Sequence, residues 1–296
     1  MFSGLCAFPL TPMDEASIDD VAFVGLISRL ARSGVDSICV LGSTGSYAYL
    51  SKTERMRVAR LAVENAGRKP VIVGVSALRT RDVIELAEDA QNAGGSGVLL
   101  APMSYQALSA NEVYSLYEDV SRSISVPLCV YDNPGTTRFE FTDELHGRIA
   151  LLPNVASIKI PALPNDPGAA RDRVARLRAL IPAHVTIGIS GDGGAAEGLN
   201  AGCEAWYSVI AGLFPCVSLE IMQAAQEGTS EKVLELSHRL DPIWSLFGQY
   251  GSLRVIATAA EVAGHVSAPC LPRPLESLQG QARDTLAKAL GRLSLS

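Results

Sequence analysis

The chain has 296 residues, 48% of them hydrophobic, and a formal net charge of −6 at neutral pH. This acidic balance argues against an electrostatic nucleic-acid footprint. No stretch approaches the roughly 18 uncharged apolar residues of a membrane helix. The length suits either two ordinary domains or one α/β barrel with an extension, and no low-complexity or charged linker divides the chain. The start, Met1-Phe2-Ser3-Gly4-Leu5, carries no positive charge ahead of its apolar residues, so a cytoplasmic location is expected. Six cysteines (Cys6, Cys39, Cys129, Cys203, Cys216, Cys270) show no paired short spacing, and Cys6, Cys39 and Cys129 sit in apolar runs, where free cysteine behaves as a small hydrophobe. The histidines, His146, His184, His238 and His265, never fall at metal-ligand spacing, so neither a disulfide nor a zinc site is expected, and metal-free chemistry is favoured.

In chain order, Leu5 to Pro9 reads as a short apolar strand, and Asp19 to Ser33 as a helix with Val24, Ile27 and Leu30 on one face, stopped by Gly34. Val35 to Leu41 is the second strand and Gly42-Ser43-Thr44-Gly45-Ser46 the turn after it. Ser51-Lys52-Thr53-Glu54 has the form of a capping box, opening a helix to Ala66. Val71 to Val75 is the third strand, Arg81 to Ala93 a helix, and Val98 to Ala101 the fourth strand. A second capping box, Ser109-Ala110-Asn111-Glu112, opens a helix to about Ser123. Val126 to Tyr131 is the fifth strand, Thr142 to Ala150 a short helix, and Val155 to Ile160 the sixth strand. A helix from Pro167 to Leu180, a strand from His184 to Ile189, a helix from Ala195 to Ala201 and a strand from Ala205 to Ile210 follow.

Eight short strands alternating with helices is the cadence of a (β/α)8 TIM barrel over residues 1–211. An open doubly wound sheet competes, but neither Gly-rich turn has the G-x-G-x-x-G form of a dinucleotide fold. From Gly212 to the end, strands give way to helical segments near Pro215 to Glu227, Glu231 to Phe247 and Leu253 to Ala263. After the interruption at Pro269 to Pro274 comes a last helix near Leu275 to Leu293. Residues 212–296 are therefore expected to pack on the barrel as a C-terminal helical extension.

One lysine, Lys159, lies inside the apolar run Val155-Ala156-Ser157-Ile158-Lys159-Ile160-Pro161. Burying an ammonium is costly, so such a lysine is paired, snorkelling to water, or held partly neutral. A neutral amine in a dry pocket attacks carbonyl carbon to give a Schiff base. In a (β/α)8 barrel the active site lies at the C-terminal ends of the strands. Those ends collect Ser43 and Thr44 after strand two, Tyr105 after strand four, Tyr131 ending strand five, Lys159 near the end of strand six, and Ser190-Gly191-Asp192 after strand seven. The strand-two loop offers backbone N–H groups and two hydroxyls that suit a carboxylate or phosphate, although an ordinary turn explains it as well. The phenol of Tyr131, on the strand beside the lysine, suits a proton relay, although packing also explains a strand-end tyrosine. Together these residues describe a 2-oxo acid whose carboxylate is held by Ser43 and Thr44 and whose keto carbon is attacked by Lys159.

Gly42-Ser43-Thr44-Gly45, Tyr131-Asp132-Asn133-Pro134-Gly135, Ile158-Lys159 and Ser190-Gly191-Asp192, in this order and spacing, resemble the dihydrodipicolinate synthase and N-acetylneuraminate lyase family over nearly the whole chain. The resemblance implies a homotetramer, a dimer of dimers, with a pyruvate imine on Lys159 and no separate cofactor. It also implies Tyr131 as acid/base, carboxylate binding by Ser43 and Thr44 with Gly191 nearby, and a second tyrosine donated across the tight dimer, for which Tyr105 is the candidate. The chain departs from the family pattern at several places. Thr136 stands where the synthases carry a carboxylate-binding arginine, with Arg138 two residues later. Ser46 stands where glutamate is usual, Met103-Ser104-Tyr105 places its tyrosine one residue late, and Trp206-Tyr207 replaces the usual small, aliphatic residues, which would narrow the substrate pocket at Tyr207, although core packing explains the pair as easily.

The expected activity is a lyase: aldol cleavage or addition with pyruvate and an aldehyde as partners. Dehydration of a 3-deoxy-2-oxo sugar acid and true dihydrodipicolinate synthesis are the alternatives within the same chemistry. A barrel using Gly191 to Gly194 as a phosphate nest, and a non-catalytic barrel that binds a 2-oxo acid, are the alternatives outside it.

Overall fold

The structure, a computed structural model, describes residues 1–295. Short runs of apolar residues form β1 (Gly4–Ala7), β2 (Ser37–Val40), β3 (Val71–Gly74), β4 (Gly97–Leu100), β5 (Leu128–Tyr131), β6 (Val155–Ile160), β7 (Thr186–Ile189) and β8 (Ala205–Ser208). Nearly all their residues are buried, as strands covered on both faces must be. They pair in parallel in sequence order, and β8 returns to β1, so no edge remains open.

The helices between the strands are α1 (Asp20–Arg32), α2 (Lys52–Asn65), α3 (Thr80–Asn92), α4 (Ala110–Ser123), the single turn α5 (Pro134–Thr137), α6 (Asp143–Ala150), α7 (Pro167–Leu180) and α8 (Ala195–Asn200). Local chemistry sets their starts. In both capping boxes the serine hydroxyl accepts from the N–H three residues on, at 3.3 Å, while the glutamate of that third residue accepts from the serine N–H. Each such cap stabilises its helix by about 1 kcal/mol. The inner faces are apolar: α1 buries Phe23, Leu26, Ile27 and Leu30 against the sheet, each such side chain contributing about 1.5–3 kcal/mol.

After β8 come α9 (Pro215–Gln226), α10 (Ser230–His238), α11 (Asp241–Tyr250), α12 (Ser252–Val262) and α13 (Gly280–Leu293). Helix α9 packs on β1 and α8 and so completes the outer ring, and α10 to α13 follow it. Two local expectations differ from the structure, and one element was not expected. The helix expected over 231–247 is two helices, because Pro242 in the first turn of α11 has no N–H to continue α10. Residues 275–279 lie outside α13, because the Leu278 N–H donates to Thr258 Oγ1 at 2.7 Å and the Ser277 hydroxyl to Glu261 at 2.6 Å, fixing this stretch along α12. The turn α5, which the sequence pattern did not indicate, begins at Pro134, whose ring presets the first helical φ.

The inside of the barrel is a separate apolar cluster that includes Cys6, Phe8, Cys39, Ile72, Leu99, Cys129, Tyr131 and Tyr207. Here Gly188 decides the packing. It lies beside Lys159 across the β6–β7 pair, and a Cβ built on it would sit 2.2 Å from Cε2 of Tyr207, so only glycine leaves room for that ring. Gly188→Ala is expected to cost about 1–3 kcal/mol, the usual penalty for overpacking a filled core. The loss reads as a lower midpoint in urea unfolding, partly recovered by Tyr207→Leu in the same chain. An unchanged midpoint would show that the ring is not confined there.

Candidate active site

Strand β6 carries Lys159 as its next-to-last residue, 3% exposed and directly beside Tyr131 of β5 in register. The Lys159 Nζ lies 3.9 Å from the centre of the Phe8 ring, 3.9 Å from that of Tyr131 and 5.8 Å from that of Tyr207. Among the described residues no carboxylate comes within ion-pairing distance of it; each of the ion pairs present involves other residues. The lysine neither reaches out to water nor forms an ion pair.

The Tyr131 hydroxyl is held from two sides. Asn133 Nδ2 donates to it at 2.8 Å, and Ser43 Oγ lies 3.4 Å away. Because the phenol oxygen already accepts from Asn133, its own proton is available to Ser43 or to a ligand. Asn133 also donates to the hydroxyl of Thr136, which is exposed at the cavity rim. Arg138, two residues on, does not line the cavity.

The loop after β2 bends through left-handed backbone at Leu41 (φ 58°) and Ser46 (φ 53°), which for a residue such as leucine costs on the order of 1 kcal/mol or more. The bend turns Ser43 and Thr44 into the cavity, and their backbone N–H groups have no acceptor among the described residues. Tyr47, in the following turn, also lines the cavity. Its ring is backed by Arg55, 5.4 Å from the ring centre, which donates to the carbonyls of Gly74 and Ser76 at 2.9 Å each.

On the far side, the turn after β7 carries Gly191 in a left-handed conformation (φ 82°) against Ala162, and Ser190 donates to the Ile160 carbonyl at 2.8 Å. Both oxygens of the Asp192 carboxylate are engaged: they accept from Trp206 Nε1 at 3.0 Å and from the N–H groups of Val209 and Ile210 at 3.2 and 2.7 Å. Burial nevertheless lifts its carboxyl to about 6. Tyr207 floors the cavity with its ring, while its hydroxyl lies 2.6 Å from Ser157 Oγ, two residues earlier on β6 than the lysine. The hydroxyl is thus engaged by the strand, and the ring alone is left to the cavity.

Thus the fold brings Lys159, Tyr131, Ser43, Thr44, Gly191, Thr136 and Tyr207 to one cavity of about 920 Å3. Tyr105 is not brought there. It is 90% exposed in the loop after β4 and lines no part of this cavity within its own chain. Sequence patterning passed over Asn133, although it stood inside the strand-five motif. It also passed over Phe8 and the outer wall from α11 and α12, whose aromatic and basic residues have no periodic signature of a site.

An unpaired amine, a phenol and a hydroxyl- and N–H-lined loop at the C-terminal mouth of a closed (β/α)8 barrel define an enzyme of the lyase class. The profile of the dihydrodipicolinate synthetase family matches residues 1–293, and the chain belongs to that family. It is 32% identical over 250 residues to the 4-hydroxy-tetrahydrodipicolinate synthase of Brucella abortus, covering 82% of each chain. It is 29% identical over 292 residues to the enzyme of the same name from Kosmotoga olearia, covering 98% of each. The crystal structure of dihydrodipicolinate synthase from Agrobacterium tumefaciens superposes with a TM-score of 0.95 at 43% identity, over 99% of this chain and 98% of that one.

Behind the mouth, Asp132 and His146 form a second buried pair, with Oδ2 and Nε2 3.5 Å apart and the imidazole stacked on Phe141 at 4.8 Å. Burial pushes the Asp132 carboxyl up to about 7, opposed by Arg173 and helped by Glu140, and pushes His146 down to about 3. The folded chain thus holds a proton on Asp132 that the unfolded chain releases near 3.8, the ordinary aspartate value. Stability from this residue is complete below about 4 and is lost as pH rises through about 7. Asp132→Asn, which cannot ionise, is therefore expected to gain on the wild type across that window, by up to a few kcal/mol. Melting temperatures of both proteins between pH 4 and 8 check it, and parallel curves would contradict it.

Proposed function

We propose that this protein makes or breaks a carbon–carbon bond between pyruvate, or a close 2-oxo acid, and an aldehyde through an imine on Lys159. The observation that carries this reading is the Lys159 amine, buried beside Tyr131 with no carboxylate partner. Lys159 Nζ attacks C2 of the keto acid, the carbonyl oxygen takes up two protons and leaves as water, and a C=N iminium remains. Loss of a C3 proton gives the enamine, whose C3 attacks the aldehyde carbon while the aldehyde oxygen takes a proton from Tyr131. Water then hydrolyses the new iminium and frees the lysine. Cleavage runs the same steps backward, with Tyr131 accepting the C4 hydroxyl proton. The Ser43 and Thr44 N–H and hydroxyl groups suit the carboxylate and so fix C2 against the amine, with Gly191 close by. Asn133 keeps the phenol turned inward, and Thr136 faces the aldehyde end.

The family's dimer of dimers is part of the proposal, as is a cytoplasmic location. Exposed apolar side chains follow three adjacent strands: Tyr49 and Met56 after β2, Leu78 after β3 and Tyr105 after β4. A second copy seated on this face would cover them and bring Tyr105 toward a neighbouring cavity. Sedimentation velocity is expected to give a tetramer that Tyr105→Ala weakens, and a monomer at micromolar concentration would refute this part.

Pyruvate with borohydride is expected to leave a three-carbon adduct on Lys159, seen by peptide mass spectrometry and absent in Lys159→Ala. Labelling at another lysine, or none, would overturn the imine. Tyr131→Phe is expected to lower kcat about 10²–10⁴-fold, the range for a positioned acid/base, with little change in pyruvate trapping. An undiminished kcat would remove the phenol from the chemistry.

A further inference from the structure

The cavity above Lys159 is much larger than a three-carbon acid requires. At about 920 Å3 it lies near the top of the roughly 300–1,000 Å3 range of sites that enclose drug-sized ligands. Its inner half is the barrel mouth. Its outer half is formed by the helices after the barrel, through Trp244, Phe247 and Gly248 of α11 and Leu253 and Arg254 of α12. The aromatic wall is rigid: Trp244 Nε1 donates to the Ser237 carbonyl at 3.0 Å, and the Trp244 and Phe247 rings pack 5.6 Å apart. Of the ionisable groups lining the whole space, Lys159 and Arg254 are the cations and Asp192 the carboxylate. Both oxygens of Asp192 already accept from Trp206, Val209 and Ile210.

Arg254 has no structural occupation. Among the described residues its guanidinium joins no ion pair and donates no hydrogen bond, and its Nη1 lies near Gly251 at the rim. It stands in the first turn of α12, where the helix dipole disfavours a cation. Every other feature of the outer wall is apolar or small. A guanidinium placed there matches one kind of ligand group, a planar or tetrahedral oxyanion.

We propose that Arg254 binds an anionic group at the far end of the second substrate, so that the preferred aldehyde carries a terminal carboxylate or phosphate and its chain lies along Trp244 and Phe247. This rests on the Lys159 imine proposed above, which binds the first substrate at the opposite end of the cavity. The two ends then divide recognition: hydroxyls and N–H groups hold one carboxylate at the barrel mouth, and a guanidinium holds the other anion at the rim.

Pyruvate addition is measured with two matched pairs, 4-oxobutanoate against butanal and glyceraldehyde 3-phosphate against glyceraldehyde, in wild type, Arg254→Gln and Arg254→Lys. Borohydride trapping of pyruvate on Lys159 is run in parallel for each protein. The wild type is expected to favour the anionic member of at least one pair by about tenfold or more in kcat/KM, about 1.4 kcal/mol. Arg254→Gln collapses that ratio through KM, and Arg254→Lys keeps a substantial part of it. The pair that responds separates carboxylate from phosphate. Trapping with no anionic preference in the wild type, or with a preference that survives in Arg254→Gln, overturns the inference and leaves the imine standing. No trapping in the wild type removes the imine and this inference with it.

Discussion

The structure depends on how one amine is kept inside the barrel without a counter-ion. Taking an ammonium out of water costs several kcal/mol unless something compensates, and a carboxylate at contact distance would compensate while making the amine a permanent partner in a pair. Here the compensation comes from ring faces. Phe8 and Tyr131 each lie 3.9 Å from Nζ, and such contacts are worth about 0.5–2 kcal/mol apiece when desolvated. Ring faces enclose the amine without engaging it in an ion pair, so it stays open to a ligand at the barrel mouth.

That arrangement needs the nearby carboxylates to be committed elsewhere, and the loops achieve this. Asp192 follows the strand beside the lysine, yet its oxygens are spent on Trp206, Val209 and Ile210, tying the loop of β7 to the end of β8. Asp132 directly follows Tyr131, yet its side chain turns outward to His146 while its backbone N–H bonds the Lys159 carbonyl at 3.0 Å. Burial raises both carboxyls, to about 6 and about 7, so each carries less negative charge toward the amine than an ordinary aspartate would. The groups that define the position of the lysine backbone are thereby prevented from neutralising its side chain.

The barrel was legible in the chain because its signals are local. Apolar runs of four to six residues, serine–glutamate capping boxes and prolines in first turns act within one element, and the structure follows them to within a few residues. Lys159 was legible for the same reason, since a charge inside Val155–Ile160 contradicts its surroundings. What could not be read depends on contacts distant in sequence. The stretch 275–279 has helical spacing but is held outside the helix by bonds to Thr258 and Glu261. The Asn133 hold on Tyr131 depends on the turn at Pro134 that follows β5. Tyr105 finds no place in the cavity of its own chain. Arg254, in an ordinary amphipathic helix, gave no signal until α12 was placed over the barrel mouth.

The two halves of the cavity are built from parts with different mechanical freedom. The residues that position the amine are strand residues packed between Gly188, Tyr207 and Phe8, where added atoms have no room. A change there is transmitted through a close-packed interior. The outer wall belongs to α11 and α12, and α12 is anchored through residues that do not line the cavity: Thr258 to Leu278, and Glu261 to Ser277 and Arg283. Side chains of α12 on the cavity face can change without disturbing these anchors or the amine. The barrel thus fixes the surroundings of the amine, while the helices laid over its mouth shape the outer part of the same cavity.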